Sequence, residues 1–206
     1  MKKTALIFPG QGAQKIGMGK DFYETFSVSR EVYDRAGEWL DMDMKGLCFE
    51  ENDKLDITRY TQVGLLTTEL AMLKAVETME IVPIVTAGLS LGEYAALTAA
   101  GKISVEDAVR VIDKRGQFMQ EAVPTGGAMA AVLGLEVETI EKICMETPGL
   151  VEIANDNCPG QTVISGEAEA VRLAGEAMKA AGAKRVAMLN VSGPFHSSML
   201  KGAGER

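Results

Sequence analysis

The sequence predicts an α/β fold built from two subdomains, and three observations lead to this prediction. A short apolar run at residues 4–8 stops at Pro9 and Gly10, which is typical of a buried strand that ends in a glycine-rich loop. A second run, rich in β-branched residues, leads directly into a turn at residues 88–92 and then into a helix of small residues. After Gly126, strand and helix patterns follow one another in the order βαββαβ, the ferredoxin-like signature.

The elements before Gly126 follow from hydrophobic periodicity and from residues that start or stop helices. Ser104 can cap the last helix of this part, with Asp107 three residues further on, and Pro124 stops it. Both predicted strands are expected to be buried. The predicted strands are 4–8 and 81–88, and the predicted helices are roughly 20–27, 29–40, 61–80, 93–101 and 104–123.

The part of the chain after Gly126 is predicted to form a compact unit that interrupts the larger one. Its strands are predicted at 128–135, 150–157, 161–166 and 183–190, and its helices at 136–147 and 167–182. We therefore expect a ferredoxin-like subdomain over residues 126–190, inserted into a larger subdomain made of residues 1–125 and 191–206. A strand, a glycine-flanked serine and a helix around Ser90 indicate that the larger subdomain is α/β-hydrolase-like, with a parallel sheet.

The composition is that of an ordinary globular protein and argues against several kinds of partner. Apolar residues make up 47% and charged residues 24% of the 206 residues. The net charge is −8 and no Lys/Arg run exceeds two residues, which argues against nucleic acid, since phosphate binding needs a concentrated basic surface. The apolar run before Pro9 is too short for an export signal, and the apolar stretch 81–101 is interrupted by Pro83 and Glu93. We therefore expect no membrane association.

The cysteines favour a reducing compartment. Cys48, Cys144 and Cys158 are odd in number, widely spaced and without a metal-ligand pattern. We expect a cytoplasmic protein without a metal site.

Ser90 is the first candidate for catalysis. It lies between Gly88 and Gly92 in G-x-S-x-G, where flanking glycines permit a sharp strand-to-helix turn. The helix N-terminus behind it supplies N–H groups and positive potential for a developing oxyanion. A serine nucleophile needs a base, and His196 is the only histidine in the chain. The alternatives are a structural turn serine and a surface histidine without a role.

Arg115 is the second candidate, because it falls on the apolar stripe of the helix predicted at 104–123. It lies three residues after Ile112. A guanidinium that faces the interior needs an anionic partner, since an unpaired buried charge is costly. That partner is either a protein carboxylate or the carboxylate of a substrate held in a bidentate clamp, unless the side chain reaches outward to solvent.

The glycine-rich segment FPGQGAQ does not complete a dinucleotide fingerprint. Gly10 and Gly12 fit its first two positions, but Lys15 occupies the third. Such a loop can still bring backbone N–H groups close to an anion or an oxyanion, or it is a plain turn.

Six segments, in this order and spacing, resemble the malonyl-CoA:acyl-carrier-protein transacylase family of fatty-acid synthesis and its relatives, the acyltransferase domains of polyketide synthases. The segments are FPGQGAQ, GLSLGEY, KRGQFMQ, MAAVLG, ANDNCPGQTVISG and GPFHSSML. The resemblance spans the whole chain.

The resemblance implies transfer of malonyl from malonyl-CoA to the phosphopantetheine thiol of acyl carrier protein through a malonyl-Ser90 ester, without a metal or redox cofactor. It also implies a role for each of six residues. Ser90 is the nucleophile, His196 the general base and then acid, Gln11 and Leu91 the oxyanion-hole donors through their backbone N–H groups, Arg115 the clamp on the malonyl carboxylate, and Phe195 part of the substrate-binding site.

Two departures from the family pattern leave alternatives open. Leu89 stands where the family usually has histidine, so we expect an altered pocket wall. The chain ends ten residues after His196, so we expect it to lack the C-terminal segment of the family. The alternatives are a serine thioesterase or esterase with the same Ser–His pair, and a catalytically incompetent fragment that acts in binding or assembly.

The resemblance further implies a monomer and an acidic partner protein. Without the C-terminal segment, exposed apolar surface and self-association are expected. Because acyl carrier protein is acidic and this chain is net negative, docking needs a local basic patch, for which Lys184, Arg185 and Lys201 are the candidates.

Overall fold

A computed structural model describes residues 3–189, 191 and 193–206. The chain separates into two compact units, Met1–Gln117 and Phe118–Arg206. Asn190, the predicted end of the smaller subdomain, lies outside the described residues. The division falls before the boundary predicted at residue 126, and residues 191–206 group with the second unit instead of the first.

The first unit combines a parallel strand pair with helices. Strand β1 pairs with β2 in the register Ala5↔Val85 to Phe8↔Gly88. The parallel sheet of the predicted α/β fold is thereby confirmed. Its strands are β1 (Ala5–Phe8) and β2 (Val85–Gly88), and its helices are α1 (Lys20–Thr25), α2 (Ser27–Leu40), α3 (Met44–Phe49), α4 (Thr58–Glu77), α5 (Gly92–Ala99) and α6 (Val105–Ala122), the last of which continues into the second unit.

Helix α4 lies in the core of the first unit. It is buried on nearly every side, and Val63, Leu66 and Leu70 are fully inaccessible to solvent. Around it pack Tyr33 and Ala36 of α2 and residues of the other helices. A helix surrounded by protein is expected to be apolar around most of its circumference.

Two predictions about the strands were wrong. Residues 81–84 do not belong to β2, because Pro83 has no N–H to donate to a ladder. The strands predicted as buried are partly exposed, with Ile7 77% and Val85 53% accessible.

The helix α3 was not predicted; its start is fixed by the Asp43 carboxylate, which accepts a hydrogen bond from the Gly46 N–H at 2.9 Å.

The second unit contains an antiparallel sheet and two helices on one face. Its spatial strand order is β4-β5-β3-β6, and the chain order is β3 α7 β4 β5 α8 β6, as the sequence predicts. Ile140, Ile164 and Val171 lie in the core between the sheet and the helices. The elements are β3 (Gly127–Leu133), α7 (Val137–Glu146), β4 (Val151–Cys158), β5 (Gln161–Glu167), α8 (Ala168–Ala180), β6 (Arg185–Met188), a 3-10 turn (Ser198–Leu200) and α9 (Lys201–Gly204).

None of the helices in the described residues is long and apolar enough to cross a membrane. The three cysteines are free thiols, two of them buried and Cys158 exposed.

Candidate active site

Ser90 occupies a strained turn between β2 and α5. Its φ of 53° lies in the left-handed region, which non-glycine residues rarely adopt and which recurs at functional sites. A Cβ atom on Gly88 would lie 2.0 Å from the backbone of Gly92, and one on Gly92 would lie 2.4 Å from the Phe8 carbonyl oxygen. Both glycines are therefore required for the turn to close, as the G-x-S-x-G pattern predicts.

The loop after β1 lies against this turn. The Leu89 N–H donates to the Phe8 carbonyl at 3.1 Å, and a Cβ on Gly10 would lie 2.8 Å from the Leu89 carbonyl oxygen. Gln11, the next residue, is therefore close to the Ser90 turn. Leu91 is fully buried directly before α5, at the helix end where N–H groups lack intrahelical acceptors.

Arg115 on α6 reaches Ser90. Its Nη2 donates to Ser90 Oγ at 3.0 Å, and its Nη1 donates a short hydrogen bond to Gln62 Oε1. The guanidinium also lies over the Tyr94 ring, 5.9 Å from the centroid. Burial lowers the pKa of Arg115, while Tyr94 and Glu93 act in the opposite direction. Within the part of the chain that the structure describes, no carboxylate forms an ion pair with Arg115.

The crossing of α4 and α6 fixes the position of Arg115. Gly116 allows close approach, because a Cβ there would lie 2.8 Å from Arg59 Cα. Beside it, Arg59 Nε and Nη2 donate to the two oxygens of the buried Asp113 at 2.6 and 3.2 Å, and this bond raises the pKa of Arg59. Gln117 Nε2 donates to the same carboxylate at 2.6 Å. These hydrogen bonds hold α4 and α6 together next to Arg115.

The other two predicted site residues belong to the second unit. Phe195 is buried in a small cluster with Met119, Met129 and Val163. His196 follows it with an exposed side chain and a φ of 58°. The turn is closed by a hydrogen bond from Ser197 Oγ to the Pro194 carbonyl at 2.7 Å.

The described residues contain no group of three or more histidine, cysteine, aspartate or glutamate side chains that could hold a metal ion.

Comparison with known proteins identifies the family. Residues 5–206 match the acyl transferase domain family. The chain belongs to this family.

Within the acyl transferase family, the chain is similar to malonyl transacylases. It is 49% identical to the malonyl CoA-acyl carrier protein transacylase of Bacillus subtilis over all of this chain and 67% of the relative. A crystal structure of the Clostridium perfringens transacylase matches with a TM-score of 0.94 and 46% identity, over 99% of this chain and 66% of that one. A malonyl-transacylase in complex with a type II PKS acyl-carrier protein matches with a TM-score of 0.95 and 41% identity, over 99% and 68%. The chain thus spans about two thirds of the length of these relatives.

One residue that contacts Arg115 in this acyl transferase chain was not predicted from the sequence. Gln62 on α4 is 1% exposed; it accepts from Arg115 and donates from Nε2 to Gln11 Oε1 at 2.9 Å. One feature of the sequence could have pointed to Gln62: it directly precedes the apolar and small-residue run VGLL on a predicted helix, and a buried amide needs hydrogen-bond partners.

Leu89, the departure from the family motif, has a half-exposed side chain, 52% accessible. Its backbone takes part in the turn, while its side chain is not held in the core.

Proposed function

We propose that this chain transfers malonyl from malonyl-CoA to the phosphopantetheine thiol of acyl carrier protein through an ester on Ser90. One observation carries the proposal: the guanidinium of Arg115 lies 3.0 Å from Ser90 Oγ with no protein carboxylate paired to it in the described residues. In a malonyl ester, a single methylene separates the acyl carbonyl from the free carboxylate. Once malonyl is esterified to Ser90, its carboxylate therefore lies close enough to Oγ for Arg115 to bind it.

The proposed reaction has two transfers. Ser90 Oγ attacks the thioester carbonyl and gives its proton to His196, and the C–S bond then breaks as His196 protonates the CoA thiolate. In the second transfer His196 takes the proton of the phosphopantetheine thiol, whose sulfur attacks the ester. Ser90 leaves as the alkoxide and recovers a proton from His196. Arg115 also donates to Oγ before substrate binds, which stabilises the developing alkoxide.

We propose that the backbone N–H groups of Gln11 and Leu91 stabilise the oxyanion of each tetrahedral intermediate. Two features support this role: the close approach of the Gly10 loop to Leu89, and the position of Leu91 at the start of α5. Donors aimed at a developing oxyanion contribute about 3–4 kcal/mol to catalysis.

The carboxylate clamp predicts selectivity for malonyl over acetyl. An acetyl group would leave the half-buried guanidinium without an anionic partner, and sites with desolvated polar groups reject analogues that lack the matching group. Phe195 is proposed to contribute to the substrate-binding site, and no metal or redox cofactor is needed for the chemistry.

We propose that the larger subdomain is α/β-hydrolase-like and that the smaller one is ferredoxin-like. The parallel pair β1–β2 followed by the Ser90 turn supports the first assignment. The strand order β4-β5-β3-β6 with the chain order βαββαβ supports the second. The predicted boundaries, 1–125 with 191–206 and 126–190, remain part of this proposal. A cytoplasmic location is proposed because the three cysteines are widely spaced and free.

We propose that acyl carrier protein docks through a basic patch at Lys184 and Arg185. Both side chains are exposed at the start of β6, and a related malonyl-transacylase has been solved in complex with its acyl-carrier protein. The double charge reversal K184E/R185E should raise the KM for acyl carrier protein while the rate of Ser90 acylation by malonyl-CoA stays the same. An unchanged KM would exclude this patch.

The experiment that tests the activity is an acceptor competition. The protein is incubated with malonyl-CoA and holo-acyl carrier protein, and malonyl transferred to the carrier is compared with free malonate released. Transfer in excess of hydrolysis supports the transacylase. Malonate release that is unaffected by the carrier would instead identify a thioesterase with the same Ser90.

A further inference from the structure

We infer that Gln62 is a positioning residue that sets the selectivity of the site for carboxylated acyl groups. The inference rests on the proposed malonyl transfer and assigns a task to a residue outside the nucleophile, base, clamp and oxyanion donors. Its basis is the hydrogen-bonded series from Gln11 through Gln62 and Arg115 to Ser90.

Gln62 orients the clamp without neutralising it. Its Oε1 accepts from Nη1 of Arg115, while Nη2 of the same guanidinium points to Ser90 Oγ. A carboxylate at position 62 would fill the same space and hold the same hydrogen bond, but it would cancel the charge that attracts an anion. An amide therefore keeps Arg115 fixed and keeps it electrostatically available to a ligand.

A second arginine on the same pair of helices shows the contrast. Arg59 pairs through two hydrogen bonds with Asp113, so its charge is compensated by the protein. Arg115 differs in that its hydrogen-bond acceptors are the neutral side chains of Gln62 and Ser90. The carboxylate beside Arg59 makes that arginine structural, whereas the amide beside Arg115 leaves its charge able to attract an anionic ligand.

Gln62 also joins the clamp to the oxyanion loop. Its Nε2 donates to Gln11 Oε1 at 2.9 Å, and the Gln62 side chain is 1% exposed, so both ends of the amide are held. Anion binding at Arg115 and the position of the Gln11 loop are therefore coupled through one buried side chain. Recognition of the acyl carboxylate is thereby linked to the groups proposed to stabilise the oxyanion.

The test is the variant Gln62→Glu, with Lys74→Gln as the matched control. Both substitutions change the charge of α4 by −1, but Lys74 is only partly buried and pairs with Glu77. In Gln62→Glu we expect the ratio of malonyl to acetyl kcat/KM to fall about tenfold or more, because the introduced carboxylate competes for Arg115. The ratio should not change in Lys74→Gln. An unchanged ratio in a cooperatively folded Gln62→Glu would overturn the inference.

A binding measurement separates this inference from the proposed activity. Malonate, added without CoA, should raise the melting temperature of the wild type more than acetate does, and Gln62→Glu should lose that difference. Persistence of the difference in Gln62→Glu would contradict the role of Gln62 even if transfer activity were present. Equal shifts by malonate and acetate in the wild type would overturn the clamp and Gln62 with it. If Gln62→Glu fails to fold, Gln62→Met replaces it in this test, because it removes the amide without adding charge. In Gln62→Met, malonate should also raise the melting temperature by less than it does in the wild type.

Discussion

At the scale of single residues, the proposed malonyl transfer depends on Arg115, which forms no ion pair with a carboxylate among the described residues. Arg115 is half-buried, and burial lowers its pKa. It is held by a neutral amide and a hydroxyl. Keeping a charge in such a position costs stability unless a partner arrives. We interpret that cost as the basis of substrate selectivity.

Replacement of the guanidinium should therefore change which acyl group is accepted. In Arg115→Ala we expect kcat/KM for malonyl-CoA to fall by about a hundredfold or more, since the malonyl carboxylate loses the guanidinium proposed to bind it. The value for acetyl-CoA should change much less. Steady-state transfer rates with both thioesters measure this, and an equal loss for both substrates would show that Arg115 supports the fold and not selectivity.

The buried carboxyl group of Glu69 should make the stability of the fold depend on pH. Glu69 on α4 is buried, neither of its oxygens has a hydrogen-bond partner among the described residues, and burial raises its pKa from 4.5 to about 8. Because the folded state holds this proton more tightly than the unfolded chain does, the contribution to stability is full below pH 4.5. It is lost as the pH rises towards 8.

Urea unfolding at pH 5 and pH 8 measures this effect. The wild type should lose on the order of 2–4 kcal/mol of unfolding free energy over this range through Glu69. Glu69→Gln, which cannot ionise, should lose correspondingly less. An identical pH dependence in the two proteins would rule out Glu69 as its source.

At the scale of the elements, the crossing of α4 and α6 positions the clamp. Gly116 has no room for a side chain, and the ion pair of Arg59 with Asp113 fixes the adjacent turn. Helices that meet at a glycine can approach closely enough for a side chain of one to contact the neighbouring side chain of the other. The contact of Arg115 with Gln62 depends on that approach.

Gly116→Ala should push the helices apart. We expect a loss of about 1–3 kcal/mol in unfolding free energy, as for other overpacked sites, together with a lower malonyl to acetyl ratio. Gly202→Ala is the control, because a Cβ there meets nothing within 4 Å in a helix, where alanine is favoured. A neutral effect of Gly116→Ala on both quantities would contradict the proposed importance of the crossing.

Much of the fold at this scale follows from periodicity and glycine placement. The helices around Leu66 and Ile112 and the turn at Ser90 agree with the sequence patterns, because an apolar stripe and a pair of flanking glycines are local signals. The helix at Met44–Phe49 was missed, since it is short and is fixed by the Asp43 cap. Gln62 was missed because its partners are 51 and 53 residues away, and no local pattern reports them.

At the scale of the whole molecule, the first unit presents apolar side chains to solvent around its strands. Val82 is 79%, Ile7 77% and Ile84 68% exposed. The sheet of this unit has two strands in the described residues, so each strand has an unpaired edge. Exposed apolar patches and free strand edges both favour association with other chains.

We therefore expect the chain to self-associate as its concentration rises. The double variant Val82→Lys/Ile84→Lys should lower the weight-average mass measured by light scattering at high concentration. Met145→Lys is the control, because Met145 is also exposed, at 75%, but belongs to the second unit. Equal association of all three proteins would show that this surface is not responsible.

Intact-mass spectrometry after brief incubation with malonyl-CoA shows whether Ser90 forms an ester with malonyl. We expect a malonyl adduct on the wild type, little adduct from acetyl-CoA, and none on Ser90→Ala. A malonyl adduct of equal yield on Ser90→Ala would rule out Ser90 as the nucleophile, and the lack of any adduct on wild-type protein that melts cooperatively would rule out the proposed acylation.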